Sequence, residues 1–539
     1  MLSVQPVLLT ACSAAALLSL PSSGQAPAKN TVEGNWVGGA QVGARYVFLR
    51  GKIERKNNQF SAIIDAPIEN QTASTESIGT EETLSLQLPL DGKSLRFKAR
   101  GEPNRLAGVV ARADGTQVGH AVLRRWAPMD AKDLALYSGA YGVDPKRIIT
   151  IQAGRFALYY YDGGTGRYGI AYPSSRTEFF GGTGALRFDQ IDMQLSFLTD
   201  SEGRATELRL TEGHLPQVKG PRTIAFATED VVVDNRDVRL GATLRVPRGQ
   251  NQHFGIVLIH GSGPQDRNGF NGGLRIHADE FARRGISVLT YDKRGVGAST
   301  GRYDGSTYEE FAADALAMVR YLKARGDLGL TRIGVWGISQ GGQIAPMVAA
   351  REPSLAFVAN TSGTVTNPEE QEIYRTAAQL RAEGLDAATI RDGVTLQILK
   401  FYYARTGFGW DSYFDYYERF HRAPWFEQII GSPASKDSTA WAFWRAINAI
   451  EPSEFWRQVR APCLVVFGGL DRLSPVDRSI ALFRLAMSTA ANQRFEIKIF
   501  PNATHDMQED PTGAANEMTD LQRYQPGYFD YLAGWILGK

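Results

Sequence analysis

A serine between two glycines lies in the part of this sequence most able to do chemistry. Residues 337–341 are Gly-Ile-Ser-Gln-Gly; the apolar run 333–336, which indicates a buried strand, precedes them, and a helical run of small residues follows. A serine on such a tight strand-to-helix turn projects its hydroxyl above the sheet. Side chains two residues before and after it would collide with the turn, so both positions are glycine. We therefore predict that Ser339 is a nucleophile.

A serine nucleophile needs a base. The hydroxyl reacts well only when a neighbouring group takes its proton, and histidine has the pKa closest to neutrality. Of the seven histidines, His505 is the one in a loop after a late predicted strand, residues 495–500. We therefore predict that His505 is the base.

A carboxylate must hold the imidazole in the correct tautomer. Asp471 is the candidate, because it follows the predicted strand 463–467 almost directly. Asp477 falls inside a predicted helix, and Asp506 is too close to His505 in sequence to orient it. Asp471 therefore completes a predicted catalytic triad with the serine and the histidine.

Two backbone N–H groups should stabilise the negative charge that develops on the substrate oxygen. Gln340 is predicted to supply the first, because it directly follows the nucleophile. The second should come from the glycine-containing loop 260–269, at Ser262 or, as the alternative, at Gly261. His260 opens this loop and is interpreted as a structural residue.

Alternating strands and helices would position these groups. From residue 228 onward, after an opening hairpin, buried strands are predicted over 254–259, 286–291, 333–336, 355–360, 463–467 and 495–500. Most intervening segments have helical patterns, which favours a mostly parallel sheet covered by helices on both faces. Active sites in such sheets lie at the carboxyl ends of the strands, where all three predicted triad residues fall.

A helical insertion interrupts this alternation from 364 to about 457. It has predicted helices over 369–383, 387–406 and 439–450 and is rich in aromatic residues. An insertion at this point would form a cap over the active site. We predict that several of its rings line an apolar acyl or aryl pocket. The candidates are Trp410, Tyr413, Tyr417, Trp441 and Trp444.

The N-terminal region, residues 31–220, has short apolar stretches separated by turn residues, including Asp-Gly pairs at 91–92 and 114–115. This pattern is typical of antiparallel β structure, in one domain or two. The tyrosines at 159–161 could bind a glycan or a surface ligand. Aromatic residues favour strands in any case, so core packing is the preferred interpretation.

The first 24 residues resemble a signal peptide. The apolar segment 7–20 is too short to span a bilayer, and small residues precede a cleavage site after residue 24. Cys12 lies in a segment similar to a lipobox, but ordinary cleavage is favoured over a lipid anchor because most of the apolar run follows it. We expect a periplasmic or secreted protein whose mature chain keeps only Cys463 and has no intrachain disulfide.

Length and charge set further limits. The chain has 539 residues, which favours two or three units, and a net charge of +2 without a long run of one sign. This balance argues against nucleic acid or an anionic membrane as the main partner.

Three motifs carry a resemblance to a known family. They are His-Gly-Ser-Gly-Pro-Gln-Asp-Arg-Asn-Gly at 260–269, Tyr-Asp-Lys-Arg-Gly-Val-Gly-Ala-Ser at 291–299 and Gly-Ile-Ser-Gln-Gly-Gly at 337–342. With them, residues 228–539 resemble the α/β-hydrolase superfamily, in the branch of dienelactone hydrolases, prolyl-oligopeptidase-type peptidases and secreted bacterial carboxylesterases. The resemblance implies the order serine, acid, histidine along the chain, and hydrolysis through an acyl-enzyme without metal or organic cofactor. It also implies structural roles for the Asp and Arg of the second motif.

The leading interpretation is a carboxylesterase acting on small acyl or aryl esters. A prolyl-oligopeptidase-type peptidase is the nearest alternative, although the N-terminal region is too short for a propeller and lacks blade repeats. An acyl thioesterase is disfavoured by predicted export, because coenzyme A is cytoplasmic. Outside enzymes, the alternative is a surface binding protein with a decayed hydrolase domain, but no triad residue is missing.

Overall fold

The computed structural model describes residues 32–539 apart from 44, 58, 68–70, 77, 81, 91–94, 103, 145–146, 249–252, 424, 439, 491 and 514–519. The predicted signal peptide 1–24, with Cys12, and the turn at 91–92 lie outside the described residues. The described chain divides into two compact units. We call residues 32–224 with 520–524 the β unit and, after the family that its sequence resembles, residues 225–513 with 525–539 the hydrolase unit.

The β unit consists of two antiparallel arrangements, as the sequence predicts. Its first eight strands form one sheet in the order β4-β3-β2-β1-β8-β7-β6-β5, and the other eight close into a barrel in the order β10-β11-β12-β13-β14-β15-β16-β9. The strands are β1 Gly34–Val42, β2 Arg45–Lys56, β3 Gln59–Ala66, β4 Gln71–Thr75, β5 Thr83–Gln87, β6 Arg96–Glu102, β7 Arg105–Ala111, β8 Gln117–Trp126, β9 Gly139–Gly142, β10 Ile148–Ala153, β11 Leu158–Asp162, β12 Tyr168–Pro173, β13 Glu178–Gly182, β14 Ile191–Thr199, β15 Ala205–Glu212 and β16 Val218–Thr223. A short helix, α1 Ala131–Ala135, joins the two arrangements.

Alternating burial explains these strands. In β3 every second side chain is buried, which is the period of a pleated strand with one face on a core. The barrel has its own apolar cluster, which includes Tyr141, Tyr160 and Leu195. Tyr160 and Tyr161 are buried, whereas Tyr159 is only partly so. The core interpretation therefore fits two of the three tyrosines, and ligand binding by this region stays a prediction.

The hydrolase unit contains a second eight-stranded sheet in the order β17-β18-β20-β19-β21-β22-β23-β24. Its elements are β17 Phe226–Asn235, β18 Val238–Pro247, β19 Phe254–Ile259, α2 Gly273–Arg283, β20 Ile286–Tyr291, α3 Tyr308–Ala324, β21 Arg332–Ile338, α4 Gln340–Arg351, β22 Val358–Thr361, α5 Pro368–Ala382, α6 Ala387–Thr406, α7 Trp410–Phe420, α8 Phe426–Ile429, α9 Ala440–Asn448, α10 Pro452–Trp456, β23 Cys463–Gly468, α11 Val476–Thr489, β24 Phe495–Phe500 and α12 Tyr528–Leu537. β18 pairs antiparallel with β17 and with β20. All other neighbouring pairs in this sheet, from β20-β19 to β23-β24, are parallel.

The register of the parallel strands brings their carboxyl ends to one edge. Ile259 of β19 is opposite Gly337 of β21, and Ile338 of β21 is opposite Thr361 of β22. Further along the sheet, the last residues of β23 and β24 are also paired. The loops after these strands therefore begin side by side, and this edge is where the predicted site residues fall.

The helical insertion lies between β22 and β23 and has six described helices, α5 to α10. The sequence predicts only three of them. Along the part of the chain that the structure describes, no helix is both long and apolar enough to cross a membrane.

Candidate active site

Ser339 occupies a strained turn between β21 and α4. Its backbone has φ +54° and ψ −119°, a conformation that residues with a side chain rarely adopt. The flanking glycines allow this turn. A Cβ atom at Gly337 would lie 2.1 Å from the Gly341 carbonyl oxygen, and one at Gly341 would lie 2.2 Å from the Ile259 carbonyl oxygen. The Ser339 N–H donates to the Thr361 carbonyl at 3.0 Å, which fixes the turn to β22.

Asp471 and His505 meet in the interior of the unit. The distance from His505 Nδ1 to Asp471 Oδ2 is 2.8 Å, and both side chains are buried. Asp471 Oδ1 accepts hydrogen bonds from the backbone N–H groups of Leu473 at 2.7 Å and Ser474 at 2.8 Å. Because a carboxylate only accepts, Nδ1 carries the proton and Nε2 is left as the basic nitrogen of the neutral ring. Asp477, the competing carboxylate, is exposed in the first turn of α11.

A serine that the sequence does not single out ties these loops together. Ser362, with φ +55°, donates from its hydroxyl to the His505 carbonyl at 2.7 Å. Its own carbonyl accepts from the Ser474 hydroxyl at 2.9 Å. The loop after β22 therefore holds both the loop of the acid and the loop of the base. No sequence motif marks Ser362; only its position after a strand end could have suggested it.

The two predicted oxyanion segments lie beside the serine. Gln340 is buried and begins α4. A Cβ atom at Gly261 would lie 3.6 Å from Ser339 Cβ, so the loop after β19 contacts the turn of the nucleophile. Ser262 lies in the same loop and is partly exposed. The structure thus brings both segments to the serine.

His260 fits a structural role. Burial, followed by the nearby charge of Lys293, lowers its pKa to about 3, so the ring is neutral at physiological pH. It packs edge-on against Tyr291 with ring centroids 4.7 Å apart.

The Asp and Arg of the motif at 291–299 are held in ion pairs, in line with the roles the resemblance implies. Arg267 contacts Asp292 through Nη2 at 2.8 Å, and the backbone N–H of Ala298 donates to the same carboxylate at 2.8 Å. Arg294 pairs with Asp314 on α3 at 2.8 Å. These pairs anchor the loop after β20. Sequence reasoning assigned no role to Lys293, which lies between them and also belongs to this site.

The insertion reaches the acid through its first helix. The Tyr374 hydroxyl on α5 donates to the Asp471 carbonyl at 3.1 Å. Gln371, also on α5, accepts from Gln343 on α4 at 3.1 Å. The insertion therefore contacts both the helix that follows the nucleophile and the loop of the acid.

The five predicted pocket residues lie among the rings of the insertion. Tyr413, Trp441 and Trp444 are buried, and Trp410 and Tyr417 are partly buried. Tyr413 donates to the Pro433 carbonyl at 2.5 Å, and Trp441 to the Ser435 carbonyl at 2.8 Å. The buried polar groups of Tyr413 and Trp441 are thus hydrogen-bonded within the insertion. The role of all five residues in a pocket stays a prediction.

Comparison with known proteins identifies the class. The sequence profile of the alpha/beta hydrolase family matches residues 256–517, which lie almost wholly within the hydrolase unit. The esterase EstD of Thermotoga maritima is 26% identical over 368 residues, covering 65% of this chain and 78% of that protein. Residues 256–517 therefore resemble the α/β-hydrolase superfamily, and the predicted resemblance is confirmed.

Two solved structures are also similar to this chain. An esterase from Pyrococcus furiosus has 18% identity and a TM-score of 0.36, covering 53% of this chain and 89% of that one. Est1E from Butyrivibrio proteoclasticus, solved with ferulic acid bound, has 18% identity and a TM-score of 0.35, covering 57% and 96%. Scores of this size transfer no detail of substrate or mechanism.

Proposed function

We propose that this protein is a serine esterase that hydrolyses small acyl or aryl carboxylic esters through an acyl-enzyme. The observation that carries the proposal is the buried Asp471–His505 pair, 2.8 Å apart, at the same sheet edge as the strained turn of Ser339. The likeness to esterase EstD supports the choice of ester over other acyl substrates.

The proposed reaction has two halves, acylation of the serine and hydrolysis of the acyl-enzyme, and the same groups act in both. Ser339 Oγ attacks the ester carbonyl while His505 Nε2 takes its proton, and Asp471 stabilises the imidazolium. The N–H groups of Gln340 and of Ser262 or Gly261 stabilise the oxyanion of the tetrahedral intermediate. The imidazolium then protonates the leaving alcohol, and water, activated by the same histidine, releases the acid.

Four observations assist this chemistry. The α4 helix begins directly after the serine, so its free N–H groups and its dipole favour negative charge there. The carboxylate cannot rotate, because one oxygen is held by two backbone N–H groups and the other by the imidazole. The loop around Gly261 contacts the turn of the serine. The insertion, through Tyr374, contacts the loop of the acid, where it would cover a bound acyl or aryl group.

The test is initial-rate hydrolysis of p-nitrophenyl esters of rising chain length, methyl cinnamates, an acyl thioester and a proline-containing peptide amide. We expect ester turnover to dominate and to be abolished in Ser339→Ala, and labelling by a fluorophosphonate probe to disappear with it. The chain-length limit would measure the acyl pocket. Peptide cleavage with little ester turnover would instead favour the peptidase, and labelling that persists in Ser339→Ala would remove the assigned nucleophile.

We also propose that the chain is exported by its first 24 residues and that these are then cleaved off after residue 24. Expression of the full chain in a Gram-negative host, followed by fractionation and N-terminal sequencing, tests this. Recovery of the uncut chain in the cytoplasm would contradict it.

A further inference from the structure

Lys293 lies beneath the loop that is predicted to form the oxyanion hole. Its ammonium nitrogen donates to the Gly261 carbonyl at 2.6 Å, to the Gly263 carbonyl at 2.9 Å and to Gln340 Oε1 at 3.0 Å. An ammonium has three N–H donors and no acceptor, so these contacts use all of them. The side chain thus joins two loops that are far apart in sequence and that both flank Ser339.

Within the described part of the chain, the Lys293 ammonium is held by rings and carbonyl oxygens instead of by an acidic side chain. The side chain is buried, and the rings of Phe311 and Tyr303 have their centroids 5.1 and 5.7 Å from Nζ. Among the residues that the structure describes, no carboxylate forms a salt bridge with it. Burial lowers its pKa to about 7. A buried lysine without a carboxylate is costly for stability, so a function is the more economical explanation.

Peptide geometry shows what these contacts orient. The Gly261 carbonyl and the Ser262 N–H belong to one planar trans peptide and point in opposite directions. Because Lys293 holds the carbonyl from the buried side, the Ser262 N–H points away from Lys293. Ser262 is partly exposed, while the glycines on either side of it are buried. This arrangement favours Ser262 over Gly261 as the second donor.

We infer that Lys293 is the positioning residue of the oxyanion hole: its ammonium fixes the Gly261–Ser262 peptide and the Gln340 side chain, so that both N–H donors face the carbonyl of a bound ester. The inference rests on the proposed esterase function. Lys293 acts through its neighbours and does not touch the substrate. Its contribution should appear in the transition state, when the oxyanion forms, more than in substrate binding.

The test compares Lys293→Met with a matched variant of the second buried lysine, Lys400→Met. Lys400 is also fully buried, and its pKa is also lowered to about 7, mainly by burial. It lies on α6 of the insertion, and its ammonium has no hydrogen-bond partner among the described residues. Both variants remove a buried ammonium from the same unit, but only one removes contacts to the oxyanion loop.

We expect Lys293→Met to lower kcat about 10- to 100-fold with KM within about threefold, since small misplacements of catalytic donors have effects of this size. The inhibition constant of an alkyl trifluoromethyl ketone, whose serine adduct carries an oxyanion, should weaken by the same factor as kcat/KM. Thermal melting should show a lower Tm for Lys293→Met, because the Gly261 and Gly263 carbonyls lose their donor. Lys400→Met should have an unchanged or higher Tm, because it loses a desolvated charge. Lys400→Met should keep kcat within about twofold.

Each alternative outcome has a separate meaning. A folded Lys293→Met enzyme with wild-type kcat and ketone affinity would overturn the positioning role, as would equal losses of kcat in the two variants. If Lys293→Met does not fold, Lys293→Gln, which keeps a neutral donor, replaces it in the test. Its kcat should fall less, and its ketone affinity and its kcat/KM should again fall by the same factor. Absence of ester turnover in wild type, or its survival in Ser339→Ala, would instead overturn the proposed function itself.

Discussion

The sheet edge and the helical insertion of the hydrolase unit differ in how their buried side chains are held: by hydrogen bonds at the edge, and mainly by ring packing in the insertion. At the edge, Asp471 accepts hydrogen bonds from backbone N–H groups of its own loop, and the His505 carbonyl accepts one from the Ser362 hydroxyl. Lys293 donates to two backbone carbonyls of the loop after β19. In the insertion, aromatic rings pack on one another, as Trp441 does on Tyr403 with centroids 4.8 Å apart. Among those rings, the Tyr413 hydroxyl and the Trp441 Nε1–H are bonded within the insertion. The Lys400 ammonium, also in the insertion, has no hydrogen-bond partner among the described residues.

This contrast predicts which substitutions should affect the reaction and which should affect stability. Several directional hydrogen bonds fix the orientation of a group, so replacing that group should change the reaction more than the fold. Groups held by packing contribute buried area, so replacing them should change the free energy of unfolding more than the reaction. Substitutions at Asp471, Trp441 and Lys400, the first two with a matched control, would break or sharpen the comparison.

The largest effect is expected for Asp471→Asn at the sheet edge. The two backbone N–H groups that bind Oδ1 would select the amide oxygen of the asparagine for that place. Its NH₂ group would then face His505 Nδ1, 2.8 Å away, and would favour the wrong tautomer. We expect kcat to fall about 10⁴-fold, as for such a change in other triads, while circular dichroism and Tm stay close to wild type.

Asp477→Asn is the matched control, because this carboxylate is nearby in sequence but exposed on α11. It should leave kcat within about twofold of wild type, the range of an ordinary surface change. If Asp471→Asn kept more than about a tenth of the wild-type kcat, another carboxylate would have to orient the histidine.

The part of this edge that sequence could predict is the part fixed by local patterns. Apolar runs locate β19, β20 and β24 to the residue, and the strand ends place Ser339, Asp471 and His505 on loops at one edge of the sheet. Lys293 could not be predicted, because a motif shows which residues adjoin but not the direction of each side chain. Its three partners lie 30, 32 and 47 residues away, in the loop after β19 and at the start of α4.

Glycine and aromatic residues misled the sequence analysis elsewhere. β1 contains Gly38 and Gly39, which normally weaken a strand and hide its pattern in the sequence. In the sheet, a Cβ atom at Gly38 would lie 2.0 Å from the Val122 carbonyl oxygen of β8, so close pairing requires the glycine. In the insertion, α7 begins after a left-handed Gly409, and its dense aromatic sequence has few of the usual helix formers. Both cases depend on contacts that are distant in sequence.

An intermediate effect, on stability, is expected for Trp441→Ala in the insertion. The ring is buried against Tyr403, Trp410 and Tyr413, and its Nε1–H donates to the Ser435 carbonyl. We expect the free energy of unfolding in urea to fall by about 3–5 kcal/mol, with kcat on a short ester within about threefold.

The partly buried Tyr417 supplies the comparison, since Tyr417→Ala removes a ring of the same cluster that is less enclosed. A rise in KM that grows with acyl length in either variant, without loss of stability, would place that ring in the predicted pocket. The insertion would then share the functional role of the sheet edge, and the contrast between the two regions would fail at that residue.

The smallest effect is expected for Lys400→Met, and it depends on pH. Burial lowers the Lys400 pKa from its usual 10.5 to about 7, so between these values the unfolded chain binds more protons than the folded one. Wild-type stability therefore rises with pH through this window, and the penalty of the buried charge is fully present only below about pH 7. Lys400→Met should be more stable than wild type by about 1–3 kcal/mol at pH 6, and the difference should shrink towards pH 10.

Urea unfolding of both proteins at pH 6, 8 and 10 measures this, because groups that do not interact with Lys400 cancel in the difference. Glu372 does interact with it; burial raises the pKa of Glu372, but Arg375 and Lys400 lower that pKa overall, so its charge stays constant over this range in wild type. The Lys400 ammonium lies 3.8 Å from the centroid of the Trp444 ring, an attraction that the methionine would lose. A variant less stable than wild type at pH 6 would show that this contact outweighs burial of the charge. Lys400 would then be a partnered cation like Lys293, stabilised by a ring where Lys293 is stabilised by carbonyl oxygens.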